Sequence, residues 1–206
     1  MSAFDDGLIA AWIPVLGDTG SKLLDCSPTR AHGSVGGMTW QDIGGIKNAL
    51  YNNASVTPAT VAANGRIKRS YPFSFAGWYY FSGLNSSRSL FVTSTRSSSN
   101  NGGFGAAALS TTALQLVYAD NTANTTASGI VQFTTNTGVL AAGAWYHIAG
   151  VFHQHLVAEA WIDGVQQSLT QAGTGGAVVH NVNGIVVGGG TLVAVSYTHL
   201  TLPTKA

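Results

Sequence analysis

Charge is scarce in this chain. Only 8% of its 206 residues are Asp, Glu, Lys or Arg, where about 25% is usual for a globular protein. Nine basic and eight acidic side chains leave a formal net charge of +1. Basic residues gather only at Arg66, Lys68 and Arg69. Nucleic-acid binding needs a clustered basic stripe, so it is excluded as a partner class. Cys26 is the single cysteine, which rules out an internal disulfide and any thiolate metal cluster. No stretch approaches the ~20 apolar residues of a membrane helix, so no membrane insertion is expected. The opening MSAFDDGLIAAW has no basic region and no long apolar run, and is not read as a signal peptide. Export without a signal, or assembly on a particle, stays open, and an extracellular or virion-associated setting is expected.

Helix formers are equally thin, with a single glutamate, Glu159, and no amphipathic segment of ten or more residues. What is present is glycine, 26 residues, and aromatic side chains at 10%. That aromatic content separates the chain from the charge-rich, aromatic-poor profile of disorder. Apolar runs bounded by Gly, Asn, Ser and Pro recur at 7–13, 48–54, 55–62, 72–81, 88–95, 102–110, 113–119, 129–135, 145–152, 156–162, 165–170 and 184–189. Short strands at such spacing indicate a sandwich or barrel. Asp163-Gly164 is the clear two-residue hairpin turn. The polar stretches 94–103 and 120–129 read as loops.

Three of the six histidines fall within WYHIAGVFHQHLVAEAWIDG, residues 145–164. On an extended strand His147 and His153 stand about 20 Å apart, too far for one ion. His153 and His155 lie about 6–7 Å apart, but Glu159 is the nearest carboxylate in sequence and sits four residues on. The pair also falls where a hairpin turns, so both are read as surface histidines, and His147 as a hydrogen-bonded strand residue. In PFSFAGWYYF, alternation puts Phe73, Phe75, Tyr79 and Phe81 on an apolar face and Ser74, Ala76, Trp78 and Tyr80 on a mixed one.

Three landmarks occur in order: GLIAAWIPVLGDTGSKLLDCSPTRAHGSV, then FSFAGWYYF, then WYHIAGVFHQHLVAEAWIDGV followed by GIVVGGG. Together they resemble the laminin-G-like branch of the concanavalin A-like lectin/glucanase superfamily. That branch shows a Gly-Leu-x-x-x-Trp strand, Asp-x-Ser before a later Gly, Phe-(Thr/Ser)-x-x-x-Trp, and Trp-x-His-x-Ala-Gly paired with an aromatic-x-Asp-Gly hairpin. The opening AWIPVLGDTG is similar to domains of phage and environmental bacterial proteins. The resemblance implies an all-β, two-sheet antiparallel jelly-roll sandwich over residues 7–194, after an extension at 1–6.

Residues 195–204, VSYTHLTLPT, resemble a translated transposon-end sequencing adapter. On that reading 195–206 is not native. The sandwich is then C-terminally truncated, its final strand lost and its first strand open along one edge.

The resemblance also frames the chemistry. Hydrolases of the superfamily use two or three carboxylates along one strand, and glycoside hydrolysis in general needs a pair about 5–9.5 Å apart. Here Glu159 has no acid at 157 or 161, and the aspartates are scattered apart from Asp5-Asp6. No catalytic residue is assigned. Ca²⁺ is the cofactor the resemblance implies, held through Asp25, Ser27 and His32, although the family's two inner glycines are replaced by Pro28 and Arg30. The alternative for Asp25 and Ser27 is a set of local turn hydrogen bonds. Trp78 and Tyr80, with Trp145 or Tyr146, are the candidate sugar platform; the alternative is that these rings fill the core. The expected function is non-catalytic recognition of a glycan within a cell-surface or phage structural protein. A structural or protein-binding sandwich, with a surface protein as partner, and an accessory domain of a glycoside hydrolase are the alternatives.

Overall fold

Alternation decides most of the strands: apolar side chains at every second position give each strand one face that must be covered. The computed structural model describes residues 8–12, 20–52, 59–61, 73–92, 103–119, 130–154, 156–174, 185–187 and 193–201. The named elements among them are all strands. The extension at 1–6, His155, most of the loops at 94–103 and 120–129, and residues 202–206 lie outside the described residues.

In chain order the strands are β1 (Leu8–Trp12), β2 (Lys22–Leu23), β3 (Gly33–Ser34), β4 (Thr39–Ile43), β5 (Ile46–Tyr51) and β6 (Ala59–Val61). There follow β7 (Phe73–Phe81), β8 (Arg88–Val92), β9 (Gly103–Ala108), β10 (Leu114–Ala119), β11 (Ile130–Thr135) and β12 (Ala144–Gln154). The last are β13 (Val157–Ile162), β14 (Val165–Gln167), β15 (Leu169–Ala172), β16 (Ile185–Val187) and β17 (Val193–Thr201). One sheet runs β14-β13-β12-β7-β17-β5-β4, with β1 also on β17; the other runs β15-β11-β10-β9-β8-β16-β6-β3-β2. The expected all-β jelly-roll sandwich is the observed fold.

The core lies between the sheets. Phe75 on β7 meets Phe91 on β8 with ring centroids 4.5 Å apart, and Phe104 on β9 meets Phe152 on β12 at 4.9 Å. Burying a side chain of this size stabilises by about 1.5–3 kcal/mol. Gly150, paired with Phe75, has no room for a side chain: a Cβ there would lie 2.5 Å from the Phe75 ring.

The sequence reading misses four strands, β2, β3, β4 and β17, and merges two. Residues 165–170 look like one run, yet the chain changes sheets at Ser168, so β14 pairs with β13 and β15 with β11. The strands β2 and β3 are two residues long, and β4 (TWQDI) is too polar to stand out. The turn that makes β4 legible is Gly44-Gly45, with φ +56° and +85°, between the paired Ile43 and Ile46. Asp163-Gly164 shows the expected turn, with φ +50° and +79°. It joins Ile162 to Val165.

The expected open edge on the first strand is not what the structure holds. Residues 193–201 fill that slot. One edge of β17 pairs with β7; the other pairs with β5 at Ala194 and Val195 and with β1 at Thr198–Thr201. The register shifts between Val195 and Tyr197, where the adapter-like run begins. A ladder is made of main-chain N–H and C=O groups, so a strand slot asks little of the side-chain sequence that occupies it.

Candidate functional site

The outward face of the first sheet gathers the aromatic candidates. On β7 the buried set is Phe75, Gly77, Tyr79 and Phe81, which leaves Ser74, Ala76, Trp78 and Tyr80 on the other side. Antiparallel pairing sets Trp145 beside Tyr80, His147 beside Trp78, Ala149 beside Ala76 and Val151 beside Ser74. On the far side of β12, Trp161 stands beside Ala149 and Glu159 beside Val151, and Gln166 of β14 stands beside Trp161. Opposed residues share a face. The result is a continuous outward patch of four rings from the sequence reading and its partners, plus Trp161.

The rings are not equivalent. Trp78 is 39% exposed, high for a tryptophan, and packs on His147 with centroids 5.3 Å apart. Tyr80 and Trp145 meet at 5.6 Å and are half-buried. Trp145 donates its indole N–H to the carbonyl of Ile43 at 2.9 Å, so the β4–β5 turn lies against it. A Cβ on Gly44 would sit 2.7 Å from that indole nitrogen, which is one reason glycine occupies the turn. Trp145 is thus held as a wall at one end of the patch, while Trp78 and Trp161 stand over its middle. Between them, Ala76 and Ala149 side by side leave a shallow floor bordered by Trp78 and His147 along the strands and by Trp161 across them.

Of the four rings singled out in the sequence, Trp78, Tyr80 and Trp145 share this face. Tyr146 does not. Alternation turns it inward, where it packs against the core near Phe81 and its hydroxyl accepts the N–H of Ala141 at 2.9 Å. Trp161 and His147 were not read as platform residues. The signal for Trp161 was its place two residues before Asp163-Gly164: the hairpin returns it to the face that Ala149 occupies. His147 keeps its strand role through its backbone, which donates to Asp163 Oδ1 at 2.8 Å and accepts from the Asp163 N–H at 2.8 Å. Its ring, however, belongs to the patch.

His153 is exposed, as expected, and its Nε2 lies 3.3 Å from Glu159 Oε2 across the hairpin. Six residues apart in sequence, the two become diagonal neighbours because β12 and β13 pair. Among the described residues no group of three or more His, Cys, Asp or Glu side chains could hold a metal ion.

The second polar cluster is the loop after β2. Asp25 is fully buried, and its carboxylate accepts five hydrogen bonds. Oδ1 takes the N–H groups of Ala11 and Ser27, both at 2.8 Å. Oδ2 takes the hydroxyls of Ser27 and Thr29, at 2.8 and 2.9 Å, and the N–H of Ala31 at 2.7 Å. His32 points Nδ1 back to accept the Asp25 N–H at 3.0 Å. Burial alone raises the Asp25 pKa, but the hydrogen bonds from Ala11, Ser27 and Thr29 outweigh it and hold the carboxyl below the ordinary carboxylate range. Where the family pattern has an inner glycine, Arg30 takes φ +50°, the left-handed conformation that glycine adopts without strain.

Asp25, Ser27 and His32 are therefore brought together, but as a lock between the loop and β1. Ca²⁺ needs about six to eight oxygen ligands with lone pairs turned toward it. Here both carboxylate oxygens, and the accepting nitrogen of His32, face N–H and O–H donors. As arranged, these residues do not fit the ion.

Three comparisons with known proteins bear on this geometry. A laminin-G family model, described as the concanavalin A-like lectin/glucanases superfamily, matches residues 53–199. No curated protein sequence matches the chain. Among solved structures, the receptor-binding domain of botulinum neurotoxin C/D mosaic serotype superposes with a TM-score of 0.73 at 11% identity, over 98% of this chain and 49% of that one. The binding domain of paraclostridial mosquitocidal protein 1 gives 0.71 at 14% identity, over 98% and 50%. Trypanosoma rangeli sialidase gives 0.65 at 15% identity, over 97% and 31%. The chain spans about half the length of the toxin binding domains it resembles. At these identities the likeness is one of fold. The family match covers most of the chain and agrees with the two-sheet topology, and the chain belongs to the concanavalin A-like lectin/glucanase superfamily, in its laminin-G branch.

Proposed function

We propose that this sandwich is a non-catalytic recognition module that binds glycan on the outward face of β7, β12 and β13. The observation that carries the reading is the aromatic row held in register across those strands, with Trp78 more than a third exposed at its centre. A solvent-facing tryptophan costs a soluble protein apolar exposure, and aromatic faces flanked by polar groups suit the C–H face of a sugar ring. Glu159, Gln166 and His153 supply hydrogen-bonding groups at the rim. The toxin structures it resembles are binding domains, which supports a binding role. The acids support the non-catalytic half of the reading: Asp25 is spent on five donors and Glu159 is engaged by His153, so neither stands as half of a hydrolytic pair.

A glycan array probed with the whole chain, with and without Ca²⁺, tests this. Retention of at least one glycan class is expected, weakened about tenfold by Trp78→Ala. No retention on any glycan would transfer the face to a protein partner instead.

A further inference from the structure

We infer that this face selects neutral glycans over acidic ones, seating one pyranose ring over Ala76 and Ala149 between Trp78, His147 and Trp161. The inference rests on the glycan-binding reading and sharpens it. Its first support is charge. The strands that build the face, β7, β12, β13 and β14, and β17 on the other side of β7, contain no Lys or Arg at any position. The cations whose side chains are described stand elsewhere: Lys22 and Arg88 on strands of the other sheet and Arg30 in the Asp25 loop. The charges the face does carry are carboxylates. Glu159 is 40% exposed along its side chain beside His153, and Asp163 stands at the end of β13. The carboxylates and sulfates of sialic acids, uronates and sulfated sugars are bound most strongly by guanidinium or ammonium partners. Among the described side chains they would meet fixed negative charge and no Lys or Arg, whereas a neutral sugar's hydroxyls can donate to those same oxygens.

The second support is shape. Neighbouring strands lie about 4.8 Å apart and same-face neighbours along a strand about 6.7 Å apart. Two adjacent alanines in that grid leave a shelf about the size of one sugar ring. Trp78 and His147 close one side of the shelf and Trp161 another. Gln166, beside Trp161, offers both a donor and an acceptor at the rim. Recognition of this kind depends on stacking and hydrogen bonds rather than ion pairing, so it resists salt.

The test uses the whole chain and two sets of soluble ligands. Neutral gluco-, manno-, galacto- and xylo-oligosaccharides form one set; sialylated, sulfated and uronate oligosaccharides form the other. Affinity is read by tryptophan fluorescence and calorimetry at low and high NaCl. The expected result is binding within the neutral set, changed less than about twofold by salt across the Debye range. Trp161→Ala should weaken it about tenfold, with Trp161→Phe retaining most of it, and near-ultraviolet circular dichroism checks that both variants fold. Binding confined to acidic glycans and lost at high salt overturns the neutral-class inference and leaves the glycan reading standing. Neutral binding that ignores Trp161→Ala and Trp78→Ala overturns the assignment to this face. No binding in either set overturns the glycan reading itself.

Discussion

Asp25 and Trp78 are both conspicuous in the sequence, and the structure gives them opposite fates. Asp25 sits in a motif suited to a metal, yet it is fully buried and every lone pair is spoken for. Trp78 sits in a strand suited to a core, yet it is 39% exposed on a patch of partly exposed rings. Residue type points to chemistry in both places. What separates structure from function is whether the chain has already satisfied the group. A carboxylate with five internal donors has nothing left to offer a ligand; an aromatic face turned to water does.

The largest expected effect is at Asp25. Asp25→Ala leaves the N–H groups of Ala11, Ser27 and Ala31 without their acceptor and frees β1 from the loop, at a cost of about 3–5 kcal/mol in chemical denaturation. The same lock has a pH signature. The folded carboxyl titrates below its unfolded value, so its contribution is complete above the ordinary carboxylate pKa and is lost as pH falls through the lower folded value. Denaturation midpoints should therefore drop on acidification below about pH 4, and Asp25→Asn should be less stable at neutral pH and lack that part of the drop. If Asp25→Ala cost under about 1 kcal/mol, the lock would not be structural.

Trp78→Ala sharpens the other side. The side chain is exposed and its ring contact is cross-strand, so stability should change by less than about 1 kcal/mol while glycan affinity falls about tenfold. A loss comparable with that of Asp25→Ala would mean the ring is holding the sheet together.

The fold was legible because it is written in period two. FSFAGWYYF separates its faces by alternation alone, and WYHIAGVFHQ with VAEAWIDG spells a hairpin with a positive-φ turn at Asp163-Gly164. What was not legible depends on pairing. Nothing local to Glu159 shows that His153 lies across from it, nor to Trp161 that it borders Ala149, because register is set by the hairpin and not by either strand. Trp145 and Tyr146 stand as alternatives in the sequence because adjacent strand residues face opposite ways; only the pairing of Trp145 with Tyr80 decides between them. Asp25 was underdetermined for a different reason: a carboxylate that binds a cation and one that gathers N–H groups use the same residue, and only the positions of the donors distinguish them.

Smaller effects test the loop itself. Arg30 holds φ +50°, where glycine is unstrained, so Arg30→Gly should stabilise by about 0.5 kcal/mol after the added freedom of the unfolded chain is subtracted. The smallest expected effect is zero. Ca²⁺ at about 5 mM would raise stability by about 1–2 kcal/mol if bound with the affinity of extracellular modules. Thermal melts with Ca²⁺ and with chelator should superimpose.

The proposed binding face is tested most directly by the five tryptophan indole N–H signals in a ¹⁵N-resolved NMR titration with a neutral oligosaccharide. Trp78 and Trp161 should shift in step with ligand. Trp12, buried at 1% exposure with its indole N–H on the carbonyl of Ala31, should stay fixed. Shifts centred on Trp12 or Trp40, with Trp78 and Trp161 unmoved at saturation, would contradict it.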